Sequence, residues 1–486
     1  MSRTKCLSIK FLLVCVLVSG CAKKHSGDAG NVGTTTNTSP NYTDSSNNSL
    51  GFGGGTINGG TGTCPTGLTC TGTVWDTTHN IVRLIQTGDS LGGNFTSGTF
   101  ASRIFNASSG SSSFKWQTPL PFLKSLPDYA SGSVQNETTS NYSSLANSTL
   151  MNGILGLWHL DESAGTSGSG SVLDRSGNGF NGTPVNGVTF GSSGKLGAAA
   201  SFTNSSGKYI SVGNMGALPT NGTISFWIYP TIVQNYDNPF STGGLGSSNT
   251  GFRFEENSGN FTFNVGDDGG TNIQPVLISG ISANTWYHIS LTWDVSQSLV
   301  WVYVNGSLVA NPSTTNFPSQ LGDVSIGAGY DTTRTWDGLI DEVAIWSRTL
   351  SAAEELQLYR RGSNQIQFQV RSCPDSTCST NPAWQGPDGS NGTYFSELFN
   401  NSDQTYSGSP FPLGGDLNSA YTILPSLPSM LFSNFSDVVG LSTTSNPYFQ
   451  YQAVFSSDDT STSCSYSSSA STWCSPELQS FTVNPL

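Results

Sequence analysis

Apolar residues in this chain tend to fall at every second position, in short runs closed by a proline, a glycine or a charged residue. Leu339 to Ile345, Thr223 to Pro230, Trp286 to Asp294 and Val300 to Val309 are the clearest cases. Such alternation predicts half-buried β-strands, and Asn305-Gly306 inside the last run predicts a tight hairpin. Weaker runs precede them at Ile81 to Ile85, Gly98 to Phe105 and Phe114 to Trp116. Others follow at Ile366 to Arg371, Thr393 to Phe395, Tyr448 to Phe455 and Leu478 to Val483. Helical periodicity is scarce. Ser351 and Glu354 have the spacing of a capping box that opens one short helix ending at Gly362. Many short strands between turn residues, with almost no helix, predict an all-β antiparallel sandwich.

Two of these stretches carry a family resemblance. Trp336-Asp337-Gly338-Leu339-Ile340-Asp341-Glu342-Val343-Ala344-Ile345-Trp346, with the short helix after it, resembles the closing signature of laminin-G-like jelly rolls of the concanavalin A-like lectin/glucanase type. Gly156-Leu157-Trp158-His159-Leu160-Asp161-Glu162 resembles the opening signature. The resemblance covers residues 153–362 and implies an antiparallel jelly roll over 151–362 whose first and last strands lie side by side.

Outside that span the pattern changes. Residues 21–71 are dominated by Gly, Ser, Thr and Asn and carry too little apolar surface to offset ordering, which predicts a flexible tether. Residues 72–150 hold roughly three strands and then a polar linker, too few for a confident core of their own. Residues 363–486 read as a further β-sandwich. One arrangement joins 72–150 and 363–486 into a single outer sandwich with the jelly roll inserted in a loop; the other keeps two separate small sandwiches.

Composition then narrows the class. Charged residues make up 10% of the chain, and the formal net charge is −13. Basic residues never run longer than a pair, as at Lys23-Lys24, which argues against a nucleic-acid partner. Arg3, Lys5 and Lys10 precede an apolar core from Phe11 to Val18, the layout of an export signal over residues 1–20. That core is far shorter than the roughly 20 residues a membrane span needs. Val18-Ser19-Gly20-Cys21 resembles the lipobox of bacterial lipoproteins, which implies cleavage before Cys21 and lipid on its thiol. An ordinary secretory signal with an incidental cysteine is the alternative. Ala22, where an aspartate would resemble an inner-membrane retention signal, points to the outer membrane, on either its periplasmic or its surface face.

The remaining cysteines fit an oxidising compartment. Cys64, Cys70, Cys373, Cys378, Cys464 and Cys474 allow 15 connectivities, and their sequence proximity makes 64–70, 373–378 and 464–474 the economical pairing. None has zinc spacing with His25, His79, His159 or His288.

Candidate chemistry is sparse. No nucleophile elbow, phosphate loop or His-Glu-x-x-His motif occurs. Asp337, Asp341 and Glu342 invite comparison with the carboxylate pair of glycosidases. Adjacent strand residues point to opposite faces, however, so only one of Asp341 and Glu342 would enter any cleft. The family resemblance implies calcium at the sandwich rim, held by Asp161, Asp174, Asn178 and Asp341, although Asp174 and Asn178 are also good turn formers. Tyr236, Asp237 and Asn238, with Tyr330 and Trp336, lie in non-periodic polar stretches and are the candidate ligand-binding residues; Trp336 is equally readable as a lid on the core. Trp158, Trp227, Trp286, Trp293, Trp301 and Trp346 fall in strand patterns and read as core. The expectation is a lipid-anchored cell-envelope protein that binds glycan or protein ligands through a jelly roll, in adhesion or substrate capture. A purely structural envelope component is the rival class, and a glycoside-active enzyme a third.

Overall fold

The computed structural model describes residues 152–385, apart from short breaks at 205–206, 235, 244–249, 258, 274–275 and 330–333, together with 69–76, 81–86, most of 95–106, 448–459, 478–485 and a few short pieces. Cys21, Cys64, Cys464, Cys474 and Tyr330 lie outside the described residues, and Cys70 is described only as part of the strand Thr69–Thr71.

Residues 154–346 form two antiparallel sheets packed face to face. In the first, the order is Thr189–Ser193, Ala198–Phe202, Gly338–Trp346, Asn221–Pro230, Tyr287–Asp294, Leu299–Val304, Ser307–Ala310, with Ile154–Trp158 also paired to Gly338–Trp346. The second sheet is built around Tyr209–Asn214, Asp323–Ile326, Phe240–Ser241, Gly251–Asn257 and Asn260–Gly266. Trp158 stands opposite Val343 and Leu157 opposite Ala344, so the opening and closing strands meet edge to edge.

Pleating explains the core. Ile224, Phe226 and Ile228 alternate with Thr223, Ser225 and Trp227, and the even-numbered set faces the second sheet, where Phe226 packs edge-on to Phe254 with ring centroids 4.8 Å apart. Burial of each such apolar side chain contributes about 1.5–3 kcal/mol. Gly222 is required at its position because a Cβ there would lie 2.1 Å from the Trp293 ring. Asn305 and Gly306 both take positive φ (48° and 70°), the geometry of the tight hairpin that the dipeptide predicts.

The closing strand has a discontinuity. On one edge it pairs with Asn221–Pro230; on the other, Gly338 to Ile340 pair with Ala198–Phe202 and Val343 to Trp346 pair with Ile154–Trp158. Asp341 and Glu342 therefore sit where one neighbour gives way to the other. On the opposite edge the register slips, because Asp341 faces Trp227 while Ala344 faces Ser225, and Glu342 adopts a φ of 51°. This is a β-bulge, two residues opposing one.

The helix Ala352–Ser363 follows, opened by Ser351 and Glu354 in a reciprocal capping box. It runs one residue past Gly362 and passes directly into the strand Asn364–Cys373. That strand pairs along its whole length with Tyr448–Ser457, which pairs on its other side with Ser97–Ala101. Leu478–Pro485 in turn pairs with Ile81–Leu84 and Phe122–Leu123. Segments before and after the jelly roll thus share the same sheets, and Phe100, Tyr451 and Phe368 pack together in their core. Cys373 and Cys378 form a disulfide.

The junction between helix and outer sheets is fixed by a buried ion pair, Arg360 Nε to Asp459 Oδ2 at 2.8 Å, with the two side chains 2% and 1% exposed. Removing one member leaves an uncompensated buried charge. Asp459→Ala is therefore expected to destabilise the protein by about 3–5 kcal/mol, read as a lower urea midpoint.

Candidate functional site

The carboxylates picked out from the sequence serve the backbone. Asp341 Oδ2 accepts from the N–H groups of Lys195 and Leu196 at 2.7 and 2.9 Å, and Asp161 Oδ1 accepts from the Ala198 N–H at 2.5 Å. Glu342 Oε1 lies 2.6 Å from His159 Nδ1. These side chains fill the break in the ladder beside the closing strand and replace the main-chain partners missing there. Burial holds the Asp341 carboxyl well above the usual range, and the charges of Glu342 and Asp161 push it further. Burial likewise raises Asp161; His159 opposes that rise and Glu342 adds to it.

Simple alternation allows at most one of Asp341 and Glu342 to face a cleft and puts the other on the opposite face. Instead both are buried, at 0% and 3% exposure, because the bulge and the strand switch enclose them. No carboxylate pair is thus presented to solvent at this position.

The four residues assigned to calcium do not form one shell. Asp174 Oδ1 accepts from the Leu157 and Ser176 N–H groups, and its Oδ2 accepts from the Phe180 N–H and the Ser176 hydroxyl. Asn178 Nδ2 donates to the carbonyls of Ile154 and Leu155. Both side chains brace the turn against the opening strand, while Asp161 and Asp341 serve the break in the ladder. Among the described residues no three His, Cys, Asp or Glu side chains are placed to share a metal ion.

The residues expected to bind ligand also separate. Tyr236 is 46% exposed, at a φ of 72°, with the Arg334 guanidinium 4.4 Å above its ring. Asp237 and Asn238 are buried beneath it. Burial is the main cause that pushes the Asp237 carboxyl up to about 7, against hydrogen bonds from Gln234 and Asn204. Trp336 is 1% exposed and donates through Nε1 to the Leu339 carbonyl at 3.2 Å. It belongs to the core, not to a platform: its polar neighbours Thr335 and Asp337 mark the end of a strand, and the ring folds back under that strand.

Aromatic and polar groups converge elsewhere, in a cleft of about 620 Å³ at the end of the first sheet's outer face. Trp227, Tyr229 and Trp286 come from the sheet and its margin, Asn284, Thr285, Asn305 and Ser307 from the adjoining turns. Leu356 and Tyr359 on the helix form one wall, and Asp458 and Asp459, which follow the outer strand Tyr448–Ser457, complete it. Tyr229 and Trp286 are half-buried, with ring centroids 5.3 Å apart at 50°. Trp227 lies deeper, stacked against Tyr359 at 5.8 Å, with the Lys195 ammonium 5.1 Å from its ring. Gly362 permits this seating, since a Cβ there would be 2.5 Å from the Trp227 indole. Lys195 Nζ also pairs with Asp458 at the rim. Beneath Trp227, His288 shares a hydrogen bond with the Ser225 hydroxyl (2.9 Å to Nε2), and burial drives its pKa down to about 3, so it is neutral.

The alternating run that adjoins Trp286 predicts a core position for it. The strand begins one residue later, at Tyr287, after a turn in which Asn284 has a φ of 60°, and this leaves the indole on the margin. Asn284 before the run and Pro230 closing the neighbouring strand are the signals that mark this edge.

Residues 204–354 match the family model of the concanavalin A-like lectin/glucanases superfamily. No curated protein matches the sequence. Among solved structures, domain 4 of AbnA, a GH43 extracellular arabinanase from Geobacillus stearothermophilus, in complex with arabinotriose, is similar at 17% identity and a TM-score of 0.35; the match covers 42% of this chain and 98% of that one. The binding domain of Paraclostridial Mosquitocidal Protein 1 is similar at 18% identity and a TM-score of 0.35, covering 47% of this chain and 62% of that one. The botulinum neurotoxin serotype G binding domain matches at 19% identity and a TM-score of 0.35, covering 45% and 56% respectively. The fold of the central region is a concanavalin A-like antiparallel jelly-roll sandwich.

The reassignment of Trp336 is testable by stability. Trp336→Ala is expected to cost about 3–5 kcal/mol, the range for large buried aromatics. Tyr236→Ala, which removes an exposed ring under one guanidinium, is expected to cost under about 1 kcal/mol. Chemical denaturation of both variants checks the contrast.

Proposed function

We propose that this chain is a cell-envelope binding protein, anchored by lipid on Cys21 at the outer membrane, whose jelly roll recognises a saccharide in the cleft between sheet, helix and outer sandwich. The carrying observation is the composition of that cleft. Half-exposed rings of Tyr229 and Trp286 offer apolar faces to a sugar, and Asn284, Asn305 and Asp458 surround them with amide and carboxylate groups suited to hydroxyls. The match of residues 204–354 to a lectin/glucanase superfamily supports the same class.

The reading is of binding without hydrolysis. Asp341 and Glu342 are buried and engaged with the backbone and with His159, and the cleft's Asp458 is paired with Lys195. Adhesion, or capture of substrate for a separate enzyme, suits such a protein.

Two measurements test this. On a glycan array the full chain is expected to give reproducible hits that weaken at least tenfold in Trp286→Ala, a loss of about 1.4 kcal/mol or more. Silence across the array would favour an envelope component that makes protein contacts alone. In a bacterial host, radiolabelled palmitate is expected to enter the wild-type chain and not Cys21→Ala; no label in the wild type would remove the anchor from the proposal.

A further inference from the structure

The helix that walls the cleft rests on an unusual surface. Glu355 is fully buried on its underside, and neither carboxyl oxygen closes a hydrogen bond of ordinary geometry. The sheet below is no better satisfied: Thr292 Oγ1 and His288 Nδ1 are also buried without partners, and Ser290 Oγ has only the Glu355 carboxyl to turn to. A buried polar layer left unsatisfied in this way weakens the interface it occupies.

The cation that bears on Glu355, Arg348, is bonded to other groups. On its own element and the turn before it, Glu354 repels it, and Arg348, whose charge reaches it, is engaged by Glu354 at 2.6 Å and by the Asn152 carbonyl. From Leu299–Val304 comes Tyr303, whose own proton is held more tightly by burial first and by the charge of Glu355 second. From Tyr287–Asp294 comes His288, which is neutral. Asn221–Pro230 offers Thr223 and Ser225, which do not ionise. An ionised Glu355 in this position would be a buried charge with no cation bonded to it.

We propose that Glu355 is a protonation latch on the cleft: the helix Ala352–Ser363 stays seated while this carboxyl keeps its proton and lifts from the sheet when the proton leaves, withdrawing Leu356 and Tyr359 from the wall. Burial raises the acid from its ordinary value of 4.5 to about 8, with Ser290 offsetting part of the rise. The folded chain then holds a proton that the unfolded chain has released between those two values. Stability accordingly falls as pH climbs through that window, and the full penalty applies above about 8. Seating of the helix is independent of what the cleft binds; the consequence for affinity rests on the saccharide reading above.

Hydrogen exchange on the full chain tests the latch without any ligand. Protection factors of helix amides, corrected for intrinsic rates, are expected to drop about tenfold between pH 7 and pH 9 in the wild type, one pH unit beyond the titration. In Glu355→Gln they are expected to stay level, and Glu355→Met serves if the amide variant does not fold. Equal protection at both pH values in the wild type, or an equal loss in the uncharged variants, overturns the latch. If array saccharides bind, their affinity is expected to weaken about tenfold over the same interval in the wild type and to stay flat in Glu355→Gln. If none binds, the saccharide reading fails while the exchange result still decides the latch.

Discussion

The jelly roll depends on carboxylates standing in for a missing stretch of β-ladder. Its closing strand is shared by two neighbours on one edge, and between them Asp341 and Glu342 have no strand beside them. Asp341 takes the N–H groups of Lys195 and Leu196, Asp161 takes that of Ala198, and Glu342 binds His159. Asp174 does the same for the opening strand by accepting the Leu157 N–H. In a chain with so few charged residues, several acids therefore act as fixed acceptors in the interior. Sheet continuity and acid burial are two sides of one arrangement, because a buried backbone donor needs an acceptor and a buried carboxylate needs donors.

This arrangement also reaches the cleft. The turn that Asp341 holds in place carries Lys195, whose ammonium lies over Trp227 and pairs with Asp458. The opposite wall depends on the helix, whose contact with Trp227 requires Gly362. Both walls are thus set by groups one layer below the surface, and the rings that a ligand would touch are positioned by residues it would never meet.

Local signals in the sequence carried through to the structure. The Ser351–Glu354 capping box and the Asn305-Gly306 hairpin were legible because each is settled within a few residues. The meeting of opening and closing strands was legible through the paired signatures rather than through periodicity. The bulge at Glu342 was not, since an extra residue leaves no trace in an alternating run until its partner strand is known. The burial of Trp336 and the partial exposure of Trp286 escape the pattern for a related reason. Flanking polarity suggests exposure for Trp336 and an adjoining strand suggests burial for Trp286, whereas exposure is decided by where each strand ends relative to the sheet margin. Asp174 and Asn178 were readable as turn formers from their local pattern; that they grip the strand Ile154–Trp158 depends on contacts some twenty residues away.

Pairing of Ser97–Ala101 with Tyr448–Ser457 has a consequence for biogenesis. During synthesis the earlier strand must wait, with an open edge, until some 350 further residues have emerged, about the separation of the paired residues, while the central sandwich has all its own pieces much sooner. Maturation would then run from the middle outward, with Tyr448–Ser457 acting as the clasp, and the waiting edge is where escort by a chaperone would matter most.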